Sequence, residues 1–570
     1  MDNISIKEII KNNNSFLDNI NQNLHNAGIL FDERINIIIY LLNQKILNLS
    51  INTTSVQLKK YKIDKLIITN IKGILEKLSL SKEELFQKVF MYYGSKYLKK
   101  ELDQFYTPLT IGKFCCNLCI QNKNIIDPAA GTGDLAIYYK GAIDLWDVSN
   151  EVTEMAKMNY KFQNIQSTIE TIDSLKNHDK NNNSYEYCLL NPPFGSKTIT
   201  TDETILTHYE LGRGKKKQEL GILFIERSMN LLKAGGILYA IVPSGYLGNS
   251  NKPFVELRKY LLQHRMLAIL RLPQNCFSRS GTGVSTYLLI IEKTKTKIDE
   301  SYDILIEDVS EIGYDLHKKN TPHKYKKENN IYMLTENNEP IILNDFDTIE
   351  NKLQQFSYDN NITQLRSSNN LTGYYTMNTK ELNDRYILDI GRYLKNYKDA
   401  IGKLEGEKSI KHYLINEYSN KFEINNEEQY TYIDIKEVNT PFYNGKEMNG
   451  SDLPSRAKHQ LKKNDIIISK LKGNISFSLI LEDIDNLICT NGFCVLRPKD
   501  EKSMVIIFGN LFSKDFKIQH NALTTGSIME SLSDGEIKNI VIDSKIDIEK
   551  YKKIINSLIT LKEELKDLSN

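Results

Sequence analysis

Leu189-Leu190-Asn191-Pro192-Pro193-Phe194-Gly195 closes a short apolar run, Tyr185 to Leu190, with two prolines that cannot continue a strand ladder. The run reads as a buried strand and the prolines as a rigid loop at its carboxyl end, the edge of an open α/β sheet where ligands bind. Asn191 brings a side-chain carbonyl, Pro192 a backbone carbonyl whose position the proline ring restricts, and Phe194 a flat apolar face. Two acceptors and an aromatic plane suit a planar base with an exocyclic amino group. Taken alone, the tetrapeptide reads equally well as a tight proline-rich loop, so the sequence upstream decides.

Asn124-Ile125-Ile126 reads as a strand that turns, through Asp127-Pro128-Ala129-Ala130-Gly131-Thr132-Gly133-Asp134, into a helix expected to begin near Leu135. Gly131 and Gly133 permit positive φ and close approach of a ligand, which makes this a nucleotide-type loop without a full G-x-G-x-x-G. A second strand, Ala142 to Asp147, ends in an acid twenty positions after Asp127, the spacing at which a βαβ nucleotide fold places the partner of the ribose hydroxyls. A third strand, Ile165 to Ile172, leads to Asp173, an acceptor for a cofactor's adenine amino group. Ahead of all of these, Tyr106-Thr107-Pro108 stands at the entrance of a helical run from Leu109 to about Gln121, with Thr107 able to present a hydroxyl to a carboxylate. Beyond Asn191 come a helix from Leu220 to Leu232 and strands at Ile237 to Val242, Met266 to Leu272 and Val284 to Ile291.

In this order, Gln104-Phe105-Tyr106-Thr107-Pro108, Asp127 to Gly133 and Asn191-Pro192-Pro193-Phe194 resemble the amino-methylating DNA adenine methyltransferases, above all the modification subunits of type I restriction systems. Ala156-Lys157-Met158-Asn159 fits that subfamily too, and the similarity covers about residues 85 to 295. It implies a Rossmann-like fold with S-adenosylmethionine as cofactor. Tyr106, Thr107, Pro108, Asp127, Ala129, Gly131 and Gly133 would hold its methionine part, Asp147 its ribose and Asp173 its adenine. Asn191, Pro192, Pro193 and Phe194 would be catalytic and receive a flipped adenine of double-stranded DNA. Trp146 departs from the small or polar residue usual before the ribose acid, which keeps Asp144 as the alternative to Asp147. The chemistry agrees: an adenine amino nitrogen has its lone pair delocalised into the ring, and acceptors pulling on its hydrogens favour a more tetrahedral, nucleophilic nitrogen. Cytosine C5 methylation would need a cysteine nucleophile, usually after proline, and no proline here precedes cysteine.

The rest of the chain is read more coarsely. A length of 570 residues with 40% hydrophobic content supports several domains, and a net charge of +2 leaves DNA affinity to local patches such as Arg213 to Lys217. No apolar run is long enough to span a bilayer and the start lacks a signal peptide, so a cytoplasmic protein without membrane contact is expected. Cys116 and Cys119 form a lone C-x-x-C with no second pair, which reads as one buried helix face and leaves no metal site. The expected architecture is α/β: a helical N-terminal domain over residues 1–100, the methyltransferase over 101–300, a polar connecting region over 301–383, an α+β target-recognition domain over 384–545 and an amphipathic helix over 546–570. Residues from about 384 to 570 resemble half of a type I specificity subunit, in Asp384 to Tyr397, Lys463 to Ser469 and Thr490 to Pro498 among other segments. The amphipathic helix implies a partner, a second copy or another restriction-modification subunit, or packing on its own domain. Two other functions fit parts of the pattern: a protein glutamine methyltransferase, since an Asn-Pro-Pro-aromatic loop also serves amide nitrogens, and a non-catalytic DNA-binding subunit.

Overall fold

The computed structural model describes residues 3–30, 33–34, 37–38, 40–42, 64–78, 80–97, 106–193, 198–277, 283–317, 322–336, 339–416, 423–473, 475–524 and 531–569. The chain forms two compact units, Met1–Ile387 and Leu388–Asn570.

Helices α1 (Asn3–Asn26), α2 (Lys65–Glu76) and α3 (Lys82–Tyr97) begin the first unit. Phe16, Ile20 and Leu24 recur every four residues on α1 and meet Ile68, Ile71 and Leu75 of α2 and Phe86, Val89 and Phe90 of α3. Asp64 caps α2 through the Leu66 N–H at 2.8 Å, while Ser81 and Glu84 cap the start of α3 reciprocally at 3.2 and 2.9 Å. Phe162 joins the same core, so the bundle is built onto the sheet domain.

That domain continues with α4 (Leu109–Leu118), β1 (Asn124–Asp127), β2 (Ala142–Asp147), α5 (Asn150–Gln163), β3 (Thr168–Thr171) and β4 (Tyr185–Leu190). It is completed by α6 (Leu220–Leu231), β5 (Leu232–Pro243), α7 (Lys252–Leu261), β6 (Arg265–Arg271), β7 (Thr286–Glu292), β8 (Asp303–Asp308), α8 (Phe346–Asp359) and β9 (Thr376–Asn378). One nine-stranded sheet runs β9-β8-β6-β7-β5-β4-β1-β2-β3. Strands β3, β2, β1, β4 and β5 are parallel, β7 is antiparallel to β5 and β6, and β9 is antiparallel to β8. The buried run Cys188-Leu189-Leu190 and the fully buried stretch Ile237 to Val242 carry the unbroken apolar pattern of strands covered on both faces. Strand order reverses between β1 and β4, the switch point at which α/β sheets open a crevice at their carboxyl edge.

Two expectations are corrected. No helix follows the glycine loop: residues 134–138 run as consecutive turns, with Tyr139 N–H on Ala136 O at 3.0 Å. Only a few residues separate the loop from β2, and Tyr139 is pinned there, its hydroxyl donating to Lys123 O and accepting from Lys123 N–H. The stretch 301–383 is more than a polar connection. Ile304, Leu305 and Ile306 form β8 beside β6, and Ile349, Leu353 and Phe356 bury one face of α8, with Phe346 stacked on Phe114 of α4 at 4.9 Å. Short apolar runs inside a charged stretch hid both elements. The cysteines of the C-x-x-C lie buried on α4 and just beyond it, and Cys119 Sγ–H donates to Cys115 O at 3.3 Å.

The second unit is mixed α and β. Strands β10 (Gln429–Ile433), β11 (Lys446–Asn449), β12 (Ala457–Gln460) and β15 (Leu487–Thr490) form a sheet in the order β11-β10-β15-β12. Between and after them, β13 (Ile466–Ser469), β14 (Phe477–Leu479) and β16 (Phe493–Leu496) form a second, β14-β13-β16. A fully buried Asp465 holds Arg497 through two bonds of 2.7 Å at the end of this sheet. The closing helix, Ile548–Ser569, packs on its own unit through Ile554, Ile555, Leu558 and Ile559, and Leu561 is 43% exposed.

Candidate active site

The carboxyl ends of β1, β2 and β4 and the turn after β3 bring Asp127, Asp147, Asn191 and Asp173 to one edge of the sheet. The loop after β1 is braced at nearly every residue. Asp127 accepts the Ala129 N–H at 3.1 Å, Asp147 accepts the Gly131 N–H at 3.0 Å, and Asn159 donates to Thr132 O at 2.9 Å. Tyr160 Oη–H donates to Gly133 O at 2.9 Å, and Thr132 Oγ1–H to Asp134 at 3.0 Å. The two glycines differ. Gly133 (φ +80°) has no room for a side chain, since a β-carbon would stand 2.4 Å from the Tyr160 ring, whereas at Gly131 (φ +55°) it would meet nothing within 4 Å. Open space therefore lies over Gly131, and Gly133 serves packing.

Asp147 uses its other oxygen on the Ser149 N–H at 2.9 Å, so one carboxylate ties the β2 end to the glycine loop. Asp144, the alternative acid, lies three residues back along the strand and accepts the Tyr185 hydroxyl at 2.6 Å. Trp146 does not obstruct the edge: side chains alternate along a strand, and its buried ring turns to the opposite face, where Nε1–H donates to Glu170 at 3.2 Å. Asp173 accepts the Leu175 and Lys176 N–H groups at 3.1 and 3.2 Å.

Asn191 and Thr107 meet. Asn191 Nδ2–H donates to the buried Thr107 Oγ1 at 3.1 Å, which turns the carbonyl branch of the amide the other way. Thr107 closes the approach to α4 between half-buried Tyr106 and buried Pro108, and Pro108 occupies the helix cap without a side-chain bond. The Pro193 carbonyl rests against the start of α6, where a β-carbon on Gly221 would stand 3.2 Å from it and 2.5 Å from Tyr246 Oη. Tyr246 donates in turn to Glu219 at 2.9 Å. Phe194 lies outside the described residues.

Burial sets the electrostatics of this edge. It pushes the Asp127 carboxyl up to about 8, against the Ala129 N–H bond and with the charge of Asp147 adding to it. Asp134 rises to about 6, burial again outweighing the bonds from Gln87 and Thr132. Asp147 is also raised by burial, opposed by backbone bonds from Ser149, Gly131 and Val148. A pyrophosphate would meet carboxyl groups here, whereas a cationic ligand would lower the cost of ionising them. The open space over Gly131 beside buried acids fits the sulfonium and ammonium groups of S-adenosylmethionine. Sequence reasoning singled out neither Gln87 nor Asp134 and Tyr160 as site residues. Asp134 was visible at the end of the glycine motif, but Gln87 and Tyr160 carried no signal beyond helical spacing.

The sequence profile of N-6 DNA methylases matches residues 81–384. Among solved structures, a putative class I S-adenosylmethionine-dependent methyltransferase from Listeria monocytogenes is 23% identical (TM-score 0.41), with 54% of this chain and 94% of that chain covered. The type IIG restriction endonuclease BpuSI is 14% identical (TM-score 0.49), over 94% of this chain and 72% of that one. The methyltransferase subunit of a type I restriction-modification system from Streptococcus thermophilus is 16% identical (TM-score 0.37), over 55% and 70%. No curated protein matches the sequence. The profile match spans more than half the chain and ends where the sheet does, so the chain belongs to the N-6 DNA methylase family.

Proposed function

We propose that the protein transfers a methyl group from S-adenosylmethionine to the N6 amino group of adenine in double-stranded DNA, with the target base flipped out of the helix. The observation that carries this reading is the Asn191 Nδ2–Thr107 Oγ1 bond, which joins the cofactor and target motifs at one sheet edge. When bound, the cofactor supplies an electrophilic methyl on a sulfonium. Asp127 and Gly131 line its methionine end, Gly133 holds the same loop against Tyr160 behind them, Tyr106, Thr107, Pro108 and Ala129 stand beside them, Asp147 takes the ribose and Asp173 the adenine. The Asn191 side-chain carbonyl and the Pro192 backbone carbonyl accept the two hydrogens of the target amino group, hold its nitrogen in line with the methyl and draw density onto it. Pro193 fixes the loop and Phe194 supplies a stacking face.

Around this centre, Arg213, Lys216 and Lys217 are exposed on the segment that follows the target loop, where they serve as phosphate contacts; Lys215 is taken by Glu256 at 2.8 Å. The second unit reads the target sequence, and the protein works within a restriction-modification system, with DNA and a further subunit or a second copy as partners. The apolar face of the closing helix packs on its own unit, so a partner meets its outer face. No described helix is long and apolar enough to cross a membrane.

Mapping modified bases in DNA from cells that express the protein tests the reading. N6-methyladenine within one short sequence is the expected result. Methyl transfer to protein, with none to DNA of every short sequence, would sink it.

A further inference from the structure

We infer that Gln87, on helix α3 of the N-terminal bundle, is a positioning residue that couples the cofactor loop to the target-base loop. This rests on the reading above, in which residues 107–173 hold S-adenosylmethionine and Asn191 receives adenine. Gln87 Nε2–H donates to Thr107 O at 2.9 Å, and the same side chain stands beside the Asp134 carboxyl, where it opposes the rise that burial imposes on it. A primary amide has two N–H donors, so one side chain serves both. From there the bonds continue in two directions: Thr107 Oγ1 receives Asn191 at 3.1 Å, and Asp134 receives Thr132 of the glycine loop at 3.0 Å. The series Asn191–Thr107–Gln87–Asp134–Thr132 therefore ties the glycine loop to Thr107, and through Thr107 to Asn191, by a residue that belongs to none of the three motifs. Gln87, Thr107, Asp134 and Thr132 are 3%, 5%, 4% and 6% exposed, so water does not readily stand in for a missing member.

The helix that carries Gln87 is held on both sides. Phe86 and Phe90 stack at 4.1 Å in the bundle core, and Glu84 meets His323 at 2.5 Å on the segment that precedes α8. A side chain projected from so fixed a backbone can set the position of Thr107 to a fraction of an ångström, the scale on which in-line transfer depends. The bundle is thus part of the catalytic frame. Gln87 also fits as a neutral donor: it lowers the Asp134 carboxyl toward ionisation without placing a second charge beside it.

Gln87→Met in the full-length protein keeps the side-chain volume and removes the bond to Thr107 together with the polar group beside Asp134. Its kcat on DNA should fall about tenfold, with a rise in KM for S-adenosylmethionine, and Gln87→Asn should recover part of the loss. The acid limb of kcat/KM for the cofactor should move to higher pH, because Asp134 loses a polar group that favours its charged form. A purely structural glutamine would lower the melting temperature and leave kcat, KM and the pH limb unchanged, and that outcome would overturn the inference. If wild-type protein itself methylates no DNA, the functional reading fails first; normal wild-type activity with an unaltered Gln87→Met variant fails the inference alone.

Discussion

The two loops at the sheet edge are held by opposite means. The loop from Asp127 to Asp134 is stitched to its surroundings by side chains of β1, β2 and α5, with Asp147, Asn159 and Tyr160 each on one of its backbone groups. The loop at Asn191 relies on covalent stiffness, two prolines in succession, with Asn191 on Thr107 and Pro193 against Gly221. The first geometry suits a cofactor whose pocket must be complete before binding. The second leaves polar atoms at the edge, and in the function proposed above they await a base that arrives only after leaving its stack.

Asn191→Ala breaks that contrast most sharply. Removing a preorganised acceptor should lower methyl transfer by on the order of a hundredfold or more, while cofactor affinity by calorimetry changes little. DNA affinity should hold as well, since phosphate contacts dominate it. Near-normal turnover would make the loop structural, and loss of cofactor binding would place Asn191 in the other half of the site.

A pair of glycine substitutions sharpens the comparison within the braced loop. Gly133→Ala drives a methyl into the buried Tyr160 ring at a positive φ, and should cost about 2 kcal/mol or more of stability in thermal unfolding. Gly131→Ala carries the φ strain alone, about 1 kcal/mol, but its methyl enters the open space and should weaken cofactor binding about tenfold. Equal stability losses with unchanged affinity would show that the space over Gly131 is not the cofactor's.

The sheet edge was legible in the sequence because its parts are local: strand, glycine turn, an acid twenty residues on, a proline-locked loop. Each is a short pattern whose conformation is set by its own residues, and the strands Ala142–Asp147 and Tyr185–Leu190 fall where the apolar runs end. What the sequence did not reveal depends on distant partners. Gln87 is one amide on an amphipathic helix until the fold brings Thr107 and Asp134 to it, and Tyr160 acts through Gly133, 27 residues away. The expected helix at Leu135 failed for lack of chain before β2, and β8 and α8 were masked by the charge around them. The second unit offers no comparably local signal. Its sheets pair strands well separated in the chain, such as β10 with β15.

The narrowest test is also the most direct reading of the braced loop's electrostatics. Asp127 in the folded protein titrates near 8, against 3.8 ordinarily, because burial disfavours its charge. Between about pH 4 and 8 the folded state therefore holds a proton that the unfolded chain releases, and stability of the ligand-free protein should fall as pH rises through that window. Asp127→Asn keeps an acceptor for the Ala129 N–H and removes the titration, so its melting temperature should vary less between pH 6 and 8. A cationic cofactor favours the charged carboxyl and should expel the proton. Calorimetry near pH 7 in two buffers of different ionisation enthalpy should then show proton release on binding S-adenosylmethionine to the wild type, and less in the variant. Equal release in both would move the titrating group to Asp134 or Asp147. No release in either would mean that the acids of this edge do not face the cofactor's charge, and the division of the edge into a braced cofactor loop and a proline-locked target loop would lose its electrostatic half.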